Sequence, residues 1–288
     1  MSFRDPTGDT SKDPDEPSSE DDSRLRDDYP VSGVVNRVKV PNSVERSAVL
    51  ADPSIETVML SIDSARKLAD IHDETARTYF REDQTVITTT TVHDDTLRKL
   101  DWREELDIVR RFGPDFHIPT EYSVYEPSMS PLEQLRAIRD SMMGTEWFAE
   151  RLQNHRTHVF VQAKGWLPWH FRLCRPTMER LGEDFVVFYA SGYEGRVHQP
   201  ISDVETLVTE LKPSGILIIG QQSVRFLKRA PPEVVAAAGG RWRKQSGLED
   251  DVHEPKAHAE WKAGTEEKLG SGQALLNSFS TTKVTENG

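Results

Sequence analysis

Short apolar runs rich in β-branched residues recur through the middle of the chain and are separated by longer segments of mixed polarity. Runs of this length and composition predict buried strands. Seven are present, at residues 34–40, 58–63, 86–91, 115–122, 158–164, 185–191 and 216–221. An eighth strand is expected somewhere in residues 234–246.

Several of the intervening segments carry apolar residues at positions i, i+3, i+4 and i+7, which predicts amphipathic helices. These helices are expected at residues 64–80, 131–153, 168–180 and 202–211, and Ser130 followed by Pro131 is a typical helix start. Strands and helices that alternate at this spacing predict parallel βαβ units. Eight such units favour a (β/α)8 TIM-like barrel, an α/β fold. A doubly wound open α/β sheet is the alternative.

The two ends of the chain differ from its middle in composition. Residues 1–30 are rich in Asp, Ser and Pro and predict a disordered acidic tail. Residues 31–247 are the predicted barrel and catalytic domain, and residues 248–288 form a polar C-terminal tail with at most one helix, near residues 258–269. No apolar run approaches the roughly 20 residues of a membrane helix, and no signal peptide is recognisable. A cytoplasmic protein without membrane contact is therefore expected.

The formal charge of the chain is −12, and residues 1–30 alone contribute −6 of it. Arginines outnumber lysines 24 to 12 beside a surplus of carboxylates, which favours a halophilic origin because dense carboxylate surfaces stay hydrated in high salt. A GC-rich genome combined with an acidic tail is the alternative explanation. Cys174 is the single cysteine, which excludes an intramolecular disulfide and a cysteine-based zinc or iron–sulfur site within the chain. No metal and no cofactor are expected.

In a parallel barrel the active site lies at the C-terminal ends of the strands, so polar residues at those ends are the first candidates. They are Asp63, Thr90, Thr91, Glu121, Gln162, Lys164, Ser191, Gly192, Tyr193, Gln221 and Gln222. A carboxylate such as Glu121 can accept two N–H groups of a guanine-like edge, and an amide such as Gln162 can both donate and accept. This combination indicates a site for a planar, hydrogen-bonding heterocycle.

These residues resemble the queuine/archaeosine tRNA-guanine transglycosylase family and its DNA-directed relatives of viral or archaeal origin, which exchange guanine for a 7-deazaguanine in nucleic acid. The likeness covers about residues 55–245. It comprises Leu60-Ser-Ile-Asp63-Ser64, Asp115-Phe-His-Ile-Pro-Thr-Glu121, Val159-Phe-Val-Gln162, Phe188-Tyr-Ala-Ser-Gly192-Tyr193 and Leu217-Ile-Ile-Gly220. The resemblance implies that Asp63 is the catalytic acid/base. It also implies a base-binding set, which is Ser64, Asp115, Glu121, Gln162, Gly192 and Tyr193.

Two parts of the family pattern are missing from the chain. One cysteine cannot build the family's zinc site of three cysteines and a histidine, so that subdomain is absent, which favours DNA over tRNA as the acceptor. Residues 236–242 (AAAGGRW) stand where the family has its nucleophilic aspartate. Asp250 and Asp251 are the nearest acidic candidates, and the nucleophile stays unassigned.

A basic segment keeps nucleic acid open as a partner despite the acidic total. Residues 221–247 carry a local charge of +5. Its cations are the expected phosphate contacts: Arg225, Lys228, Arg229, Arg241, Arg243 and Lys244. The expected partners are therefore DNA or tRNA and a 7-deazaguanine base, and a homo-oligomer or a partner protein is left open.

Two other functions remain as alternatives to a pentosyltransferase of this kind. One is a TIM-barrel enzyme acting on a small anionic or phosphorylated substrate, and the other is a noncatalytic nucleic-acid-binding protein.

Overall fold

In the computed structural model, which describes residues 29–90, 100–124, 129–191 and 198–270, nine short strands form one parallel sheet. The strands are β1 (Gly33–Arg37), β2 (Thr57–Ser61), β3 (Thr85–Thr89), β4 (Phe116–Ile118), β5 (His158–Val159), β6 (Val161–Ala163), β7 (Phe185–Tyr189), β8 (Gly215–Ile219) and β9 (Val234–Gly239). Their order in the sheet is β5-β4-β3-β2-β1-β9-β8-β7-β6.

The two outermost strands of this order, β5 and β6, follow each other along the chain with only Phe160 between them. Residues 158–163 therefore act as one barrel strand that pairs with β4 through its first half and with β7 through its second half. The first strand pairs with the last, β1 with β9. The sheet thus curves into a barrel of eight strands, and the predicted TIM-like α/β fold is confirmed.

Helices connect the strands and cover the outside of the barrel. They are α1 (Ser43–Ala51), α2 (Ile62–Ile71), α3 (Ala76–Tyr79), α4 (Trp102–Phe112), α5 (Pro131–Leu152), α6 (Pro168–Leu181), α7 (His198–Leu211), α8 (Val224–Leu227), α9 (Trp242–Gln245) and α10 (Pro255–Glu266). The start of α5 is a capping box in which Ser130 and Glu133 bond reciprocally. None of the helices in the described ranges is long and apolar enough to cross a membrane.

Two apolar layers hold the fold together. The inner layer fills the barrel with alternate residues of the strands, including Val35, Met59, Ile87, Val187 and Leu217. The outer layer lies between strands and helices and takes the residues that alternate with them, such as Val58, Val86, Val186 and Ile218. Strand residues therefore have a defined side, because successive side chains of a strand point to opposite faces.

Some boundaries differ from those predicted. The helix expected at residues 64–80 is interrupted between α2 and α3, where Asp73 takes a positive φ of 52° and Thr75 caps the next turn. Helices α1 and α4 were not predicted: α1 has only nine residues, and six of the eleven residues of α4 are charged. The eighth strand lies at Val234–Gly239, within the range expected for it.

The helix α10 lies in the segment predicted to be a polar tail, and it packs against β1. Its Glu266 carboxylate accepts a hydrogen bond from the backbone N–H of Val34 at 2.9 Å. His258 of the same helix is fully buried and lies 3.3 Å from the side-chain oxygen of Asn36 through its Nε2. This helix is thus part of the packed structure.

Candidate functional site

Gln162 and Lys164 point into the barrel at its C-terminal end. Their neighbours Val161 and Ala163 pack in the outer layer with α6, so the alternation of the strand turns residues 162 and 164 inward. Both side chains are buried, with exposed fractions of 1% and 0%. Two residues apart on one strand face, their Cα atoms are about 7 Å from each other.

Glu121 follows β4, and hydrogen bonds fix the backbone at this residue and at the one before it. Its N–H donates to the hydroxyl of Thr90 at 3.0 Å. The preceding residue, Thr120, takes a positive φ of 49° and exchanges hydrogen bonds with Ser141 of α5. The Glu105 carboxylate also accepts the Thr120 N–H at 3.2 Å. These contacts hold the turn that aims the Glu121 side chain across the barrel end.

The Glu121 carboxylate and the Lys164 ammonium group face each other inside this end of the barrel. Glu121 Oε1 lies 3.6 Å from Lys164 Nζ, and the exposed fractions of the two side chains are 8% and 0%. Burial lowers the pKa of the Lys164 amine below its ordinary value, and the carboxylate opposes that shift only in part. The amine is thus closer to its neutral, nucleophilic form than a surface lysine is.

Four polar atoms of these three side chains are buried without a hydrogen-bond partner among the described residues: Glu121 Oε2, both amide atoms of Gln162, and Lys164 Nζ. A buried polar group without a partner costs about 1–3 kcal/mol each. Several such groups close together mark a place where a ligand, an ion or water can satisfy them. We take these three residues, called the inner polar cluster below, as the candidate site.

Two further features line the same end of the barrel. Tyr189 ends β7, and its side chain points to the inner face, as do those of Phe185 and Val187. Because Ala163 pairs with Phe188, the next residues of the two strands are neighbours, and the Tyr189 ring is beside Lys164. Gln222 follows β8, and its amide nitrogen donates to the backbone carbonyls of Val35 and Ala237, which places it beside β1 and β9. Its Oε1 is buried without a partner in the part of the chain that the structure describes. Of these two side chains, the Tyr189 ring is the one on the strand next to Gln162 and Lys164.

The segment after Lys164 is held by His170. Its Nδ1 accepts hydrogen bonds from the backbone N–H groups of Trp166 and Leu167 at 3.2 and 3.3 Å. Burial lowers the pKa of His170 to about 4, so the ring is neutral. Gly165 takes a φ of +98°, and a Cβ there would lie 2.3 Å from the His170 Nδ1, which leaves no room for another residue. The rings of Trp166 and Trp169 lie edge-to-face with this histidine, with ring centroids 5.0 and 4.0 Å away.

Asp63, the predicted acid/base, lies outside the inner polar cluster. Strand β2 ends at Ser61 and α2 begins at the next residue, so Asp63 is on the first helical turn. Its carboxylate pairs with Lys67 at 2.8 Å and is 38% exposed. Ser64, predicted to bind the base, lines a cleft at the end of β2 together with Ser61.

Asp115 lies at the opposite end of β4 from Glu121. It immediately precedes this strand, and its carboxylate accepts hydrogen bonds from the Val86 N–H and the guanidinium group of Arg156, both at 2.9 Å. Arg77 donates to the same carboxylate. We therefore do not include Asp115 in the candidate site, because the barrel separates it from Glu121.

The candidate nucleophiles, Asp250 and Asp251, lie on the outer surface. Asp250 ends a short 3₁₀ helix, Leu248–Asp250, and both it and Asp251 are exposed. Asp251 borders a groove formed with α1. Neither residue is placed with the inner polar cluster. Gly192 and Tyr193 lie outside the described residues.

The predicted phosphate contacts divide into two groups. The first group precedes β9 and comprises Arg225, Lys228 and Arg229, which are exposed on α8 or just after it. They lie along the outer wall, because the chain there runs from the C-terminal end of β8 back to the start of β9. Those that follow β9 (Arg241, Arg243 and Lys244) begin at the same barrel end as the inner polar cluster. Only the second group lies at the barrel end that contains the candidate site.

Sequence reasoning named Lys164 as a strand-end residue but did not assign it to the site. The alternation of apolar and polar positions in Val161-Gln-Ala-Lys164 was the signal that places both polar side chains on the inner face. Within the described ranges, no group of three His, Cys, Asp or Glu side chains is arranged to hold a metal ion. The chain matches no model of a known protein family, and a search of curated proteins gives no match.

Proposed function

We propose that the barrel binds a purine-like base at the inner polar cluster and exchanges guanine for a 7-deazaguanine in nucleic acid, with DNA favoured as the acceptor. The observation that carries this proposal is the buried, unpartnered set of Glu121 Oε2, both amide atoms of Gln162 and Lys164 Nζ. Together they offer acceptors and donors inside one barrel end. The motif resemblance of the chain supplies the reaction class.

The donor and acceptor pattern of the cluster complements a guanine-like edge. The Glu121 carboxylate accepts from adjacent ring and exocyclic N–H groups, and the Gln162 amide donates to a carbonyl while its oxygen accepts from a ring N–H. Lys164 adds a donor for the carbonyl oxygen. The Tyr189 ring offers a surface on which a planar base stacks, which is worth about 1–3 kcal/mol per base.

Base exchange needs the target guanine to leave its stack, because a base inside a duplex cannot enter a barrel. Asp63 is the residue proposed to transfer the proton, from its position on the first turn of α2. In this scheme Glu121, Gln162 and Lys164 hold the base, and their roles are tested separately from those of Asp63 and of the nucleophile.

One observation favours a second candidate function. A fully buried lysine whose pKa is lowered, 3.6 Å from a carboxylate inside a TIM-like barrel, is suited to attack a carbonyl group. Its nitrogen would form a C=N bond with the substrate carbon, and the carbonyl oxygen would leave as water after proton transfer by Glu121. The substrate would be a small carbonyl compound with a phosphate or carboxylate group.

The two functions are separated by binding and trapping experiments on the full chain. Calorimetry with guanine and a 7-deazaguanine is expected to show binding that Glu121→Gln and Gln162→Leu each weaken at least tenfold, whereas Glu150→Gln on the exposed end of α5 leaves it unchanged. Incubation with guanine-containing DNA or tRNA and the labelled base is expected to give incorporation that Asp63→Ala abolishes.

The second function would replace the first if two results are found together. The wild type binds no base, and borohydride traps an adduct of a phosphorylated ketone or aldehyde on the wild type but not on Lys164→Met. A noncatalytic role is indicated instead if DNA affinity is retained in the Asp63→Ala/Glu121→Gln variant and neither reaction occurs in the wild type.

A further inference from the structure

A cleft of about 370 Å³ opens at the C-terminal ends of β1, β2 and β9, beside the barrel end that contains the inner polar cluster. Three basic residues, Arg37, Lys39 and Arg243, line it. No acidic residue is present among the eight described residues that form its walls. This cleft is called the basic cleft below.

Buried contacts fix the basic side of the cleft. Arg243 Nη2 and the indole N–H of Trp242 both donate to the backbone carbonyl of Arg37, each at 2.9 Å, and Trp242 is fully buried. Arg243 Nε also lies 2.8 Å from the carboxylate of Glu45, whose side chain is 6% exposed. The same carboxylate accepts the backbone N–H of Lys39 at 2.7 Å. Glu45 therefore orients Arg243 and the loop that carries Lys39 from behind the cleft wall.

The opposite wall supplies hydroxyl groups. Ser61 caps α2, and its hydroxyl donates to that of Ser64 at 3.0 Å. The cap sits at the N-terminal end of a ten-residue helix, whose dipole adds to the positive potential of the cations. Gly240 also lines the cleft, and an added Cβ there would lie 2.6 Å from Nη1 of Arg243, so the glycine leaves room for this guanidinium group. The walls thus combine serine hydroxyls with fixed cationic side chains.

We propose that the basic cleft binds a phosphate group of the substrate. Arginine guanidinium groups, a lysine ammonium group and serine hydroxyls are donors that match phosphate oxygens. The eight described wall residues include no carboxylate, and the Glu45 carboxylate behind them offsets part of the Arg243 charge. The phosphate belongs either to a nucleic-acid backbone or to a small phosphorylated substrate. In its nucleic-acid form this inference rests on the proposed function, with the cleft holding the backbone while the inner polar cluster holds the base.

The test compares single and double removal of charge in the cleft with a matched change elsewhere. The variants are Lys39→Gln, Arg37→Gln/Lys39→Gln and, as the control, Lys256→Gln, which removes one positive charge from an exposed side chain on α10. Circular dichroism checks the fold of each variant at the salt concentration used. The probes are inorganic phosphate and glucose 6-phosphate, measured by calorimetry, and a labelled single-stranded DNA, measured by fluorescence anisotropy over a series of salt concentrations.

If the phosphate comes from nucleic acid, Lys39→Gln reduces the slope of log K against log salt by about 0.7 and the double variant reduces it by about twice as much, while Lys256→Gln leaves it unchanged. If the source is a small molecule, both cleft variants weaken the binding of glucose 6-phosphate or inorganic phosphate at least threefold, while DNA binding is absent or equal in all variants. This second outcome supports the cleft and counts against a nucleic-acid substrate.

Two results would overturn the inference. One is that Arg37→Gln/Lys39→Gln and Lys256→Gln bind every probe equally well, and the other is that the wild type binds none of the probes. Base binding at Glu121 and Gln162 is measured without phosphate. A result that contradicts the proposed function is therefore distinguishable from one that contradicts phosphate binding at the basic cleft.

Discussion

Glu121 Oε1 and Lys164 Nζ lie 3.6 Å apart inside the C-terminal end of the barrel, although the two residues are 43 positions apart in the sequence. Both side chains are nearly removed from solvent, and the distance is too long for a hydrogen bond. A buried pair of this kind offsets the cost of desolvating two charges only when each partner has further hydrogen bonds. Here Glu121 Oε2 and Lys164 Nζ have none among the described residues, so the pair is expected to serve binding or catalysis at the expense of stability.

The first prediction concerns this pair. Lys164→Met leaves the Glu121 carboxylate buried without its cation, and we expect the free energy of unfolding at pH 7 to fall by about 3–5 kcal/mol. In Glu121→Gln/Lys164→Met no charge is buried, and stability should return to within about 1 kcal/mol of the wild type or exceed it. Urea unfolding followed by circular dichroism measures both. A double variant no more stable than Lys164→Met would contradict the coupling.

The second prediction compares two buried glutamines, one whose amide is fully hydrogen-bonded and one whose amide has no partner among the described residues. Gln84 donates to the carbonyls of Val49 and Ile55 and accepts from Arg81 N–H, whereas Gln162 has no partner for either amide atom among the described residues. Gln84→Leu should lower the free energy of unfolding by about 1–3 kcal/mol, since it leaves backbone groups unpaired. Gln162→Leu should leave it unchanged or raise it. A similar loss of stability in both variants would mean that Gln162 is satisfied in the apo protein.

The third prediction separates the two acidic residues that flank β4. Asp115→Asn weakens the hydrogen bonds from Arg77, Arg156 and the Val86 N–H, so the free energy of unfolding should fall by about 1–3 kcal/mol. The affinity of the folded variant for a 7-deazaguanine should equal that of the wild type, as measured by calorimetry. Asp83→Asn, at an exposed site with a single arginine partner, is the control for stability. An Asp115→Asn protein that folds normally but loses base affinity would return Asp115 to the site.

The fourth prediction is a loss of stability in mild acid. Burial lowers the pKa of His258 from 6.5 to about 4. Between pH 6.5 and 4 the unfolded chain therefore binds a proton that the folded protein does not, and the free energy of unfolding falls as the pH falls, by up to about 3 kcal/mol. Above this window His258 adds no pH dependence. His170, whose pKa is also about 4, acts over the same range.

Unfolding in urea at several pH values between 7 and 4 measures this dependence. His258→Gln should reduce the slope of stability against pH but not remove it, because His170 remains. His72→Gln, at an exposed histidine, should leave the slope as in the wild type. Equal slopes in all three proteins would show that His258 titrates normally in the folded state.

Much of the architecture could be predicted from local sequence patterns. The β-branched runs located seven of the eight barrel strands, because a strand buried on both faces is apolar along its whole length, and the eighth lies within the range expected for it. Helices α1 and α4 were missed: α1 has only nine residues, and charged residues dominate α4. The strand-end rule also selected Glu121, Gln162 and Lys164 as inward candidates, and the period of two along a strand explains why these side chains share the barrel interior.

Asp63 and Asp115 show where local patterns stopped being sufficient. Asp63 was selected as a strand-end residue, and Asp115 was assigned to the site only by the resemblance. Helix α2 begins directly after Ser61 and places Asp63 on a helix beside Lys67. Strand β4 comprises only Phe116–Ile118, which puts Asp115 and Glu121 at its two opposite ends. The length of a strand and the residue at which the next helix starts depend on packing with neighbouring elements, which a single motif does not encode.

Buried parallel strands alternating with helices, and polar residues at the strand ends, follow from the sequence alone, because hydrophobic periodicity is a property of each segment. The sequence favoured a barrel over an open sheet, but the closure of the sheet, the contact of Glu121 with Lys164 and the cleft shared by Arg37, Lys39 and Arg243 depend on the tertiary structure. Those groupings arise when β4 pairs with residues 158–159 and β1 pairs with both β2 and β9. Closing the barrel brings together residues that are far apart in the chain, and the register of the strand pairs sets which side chains meet.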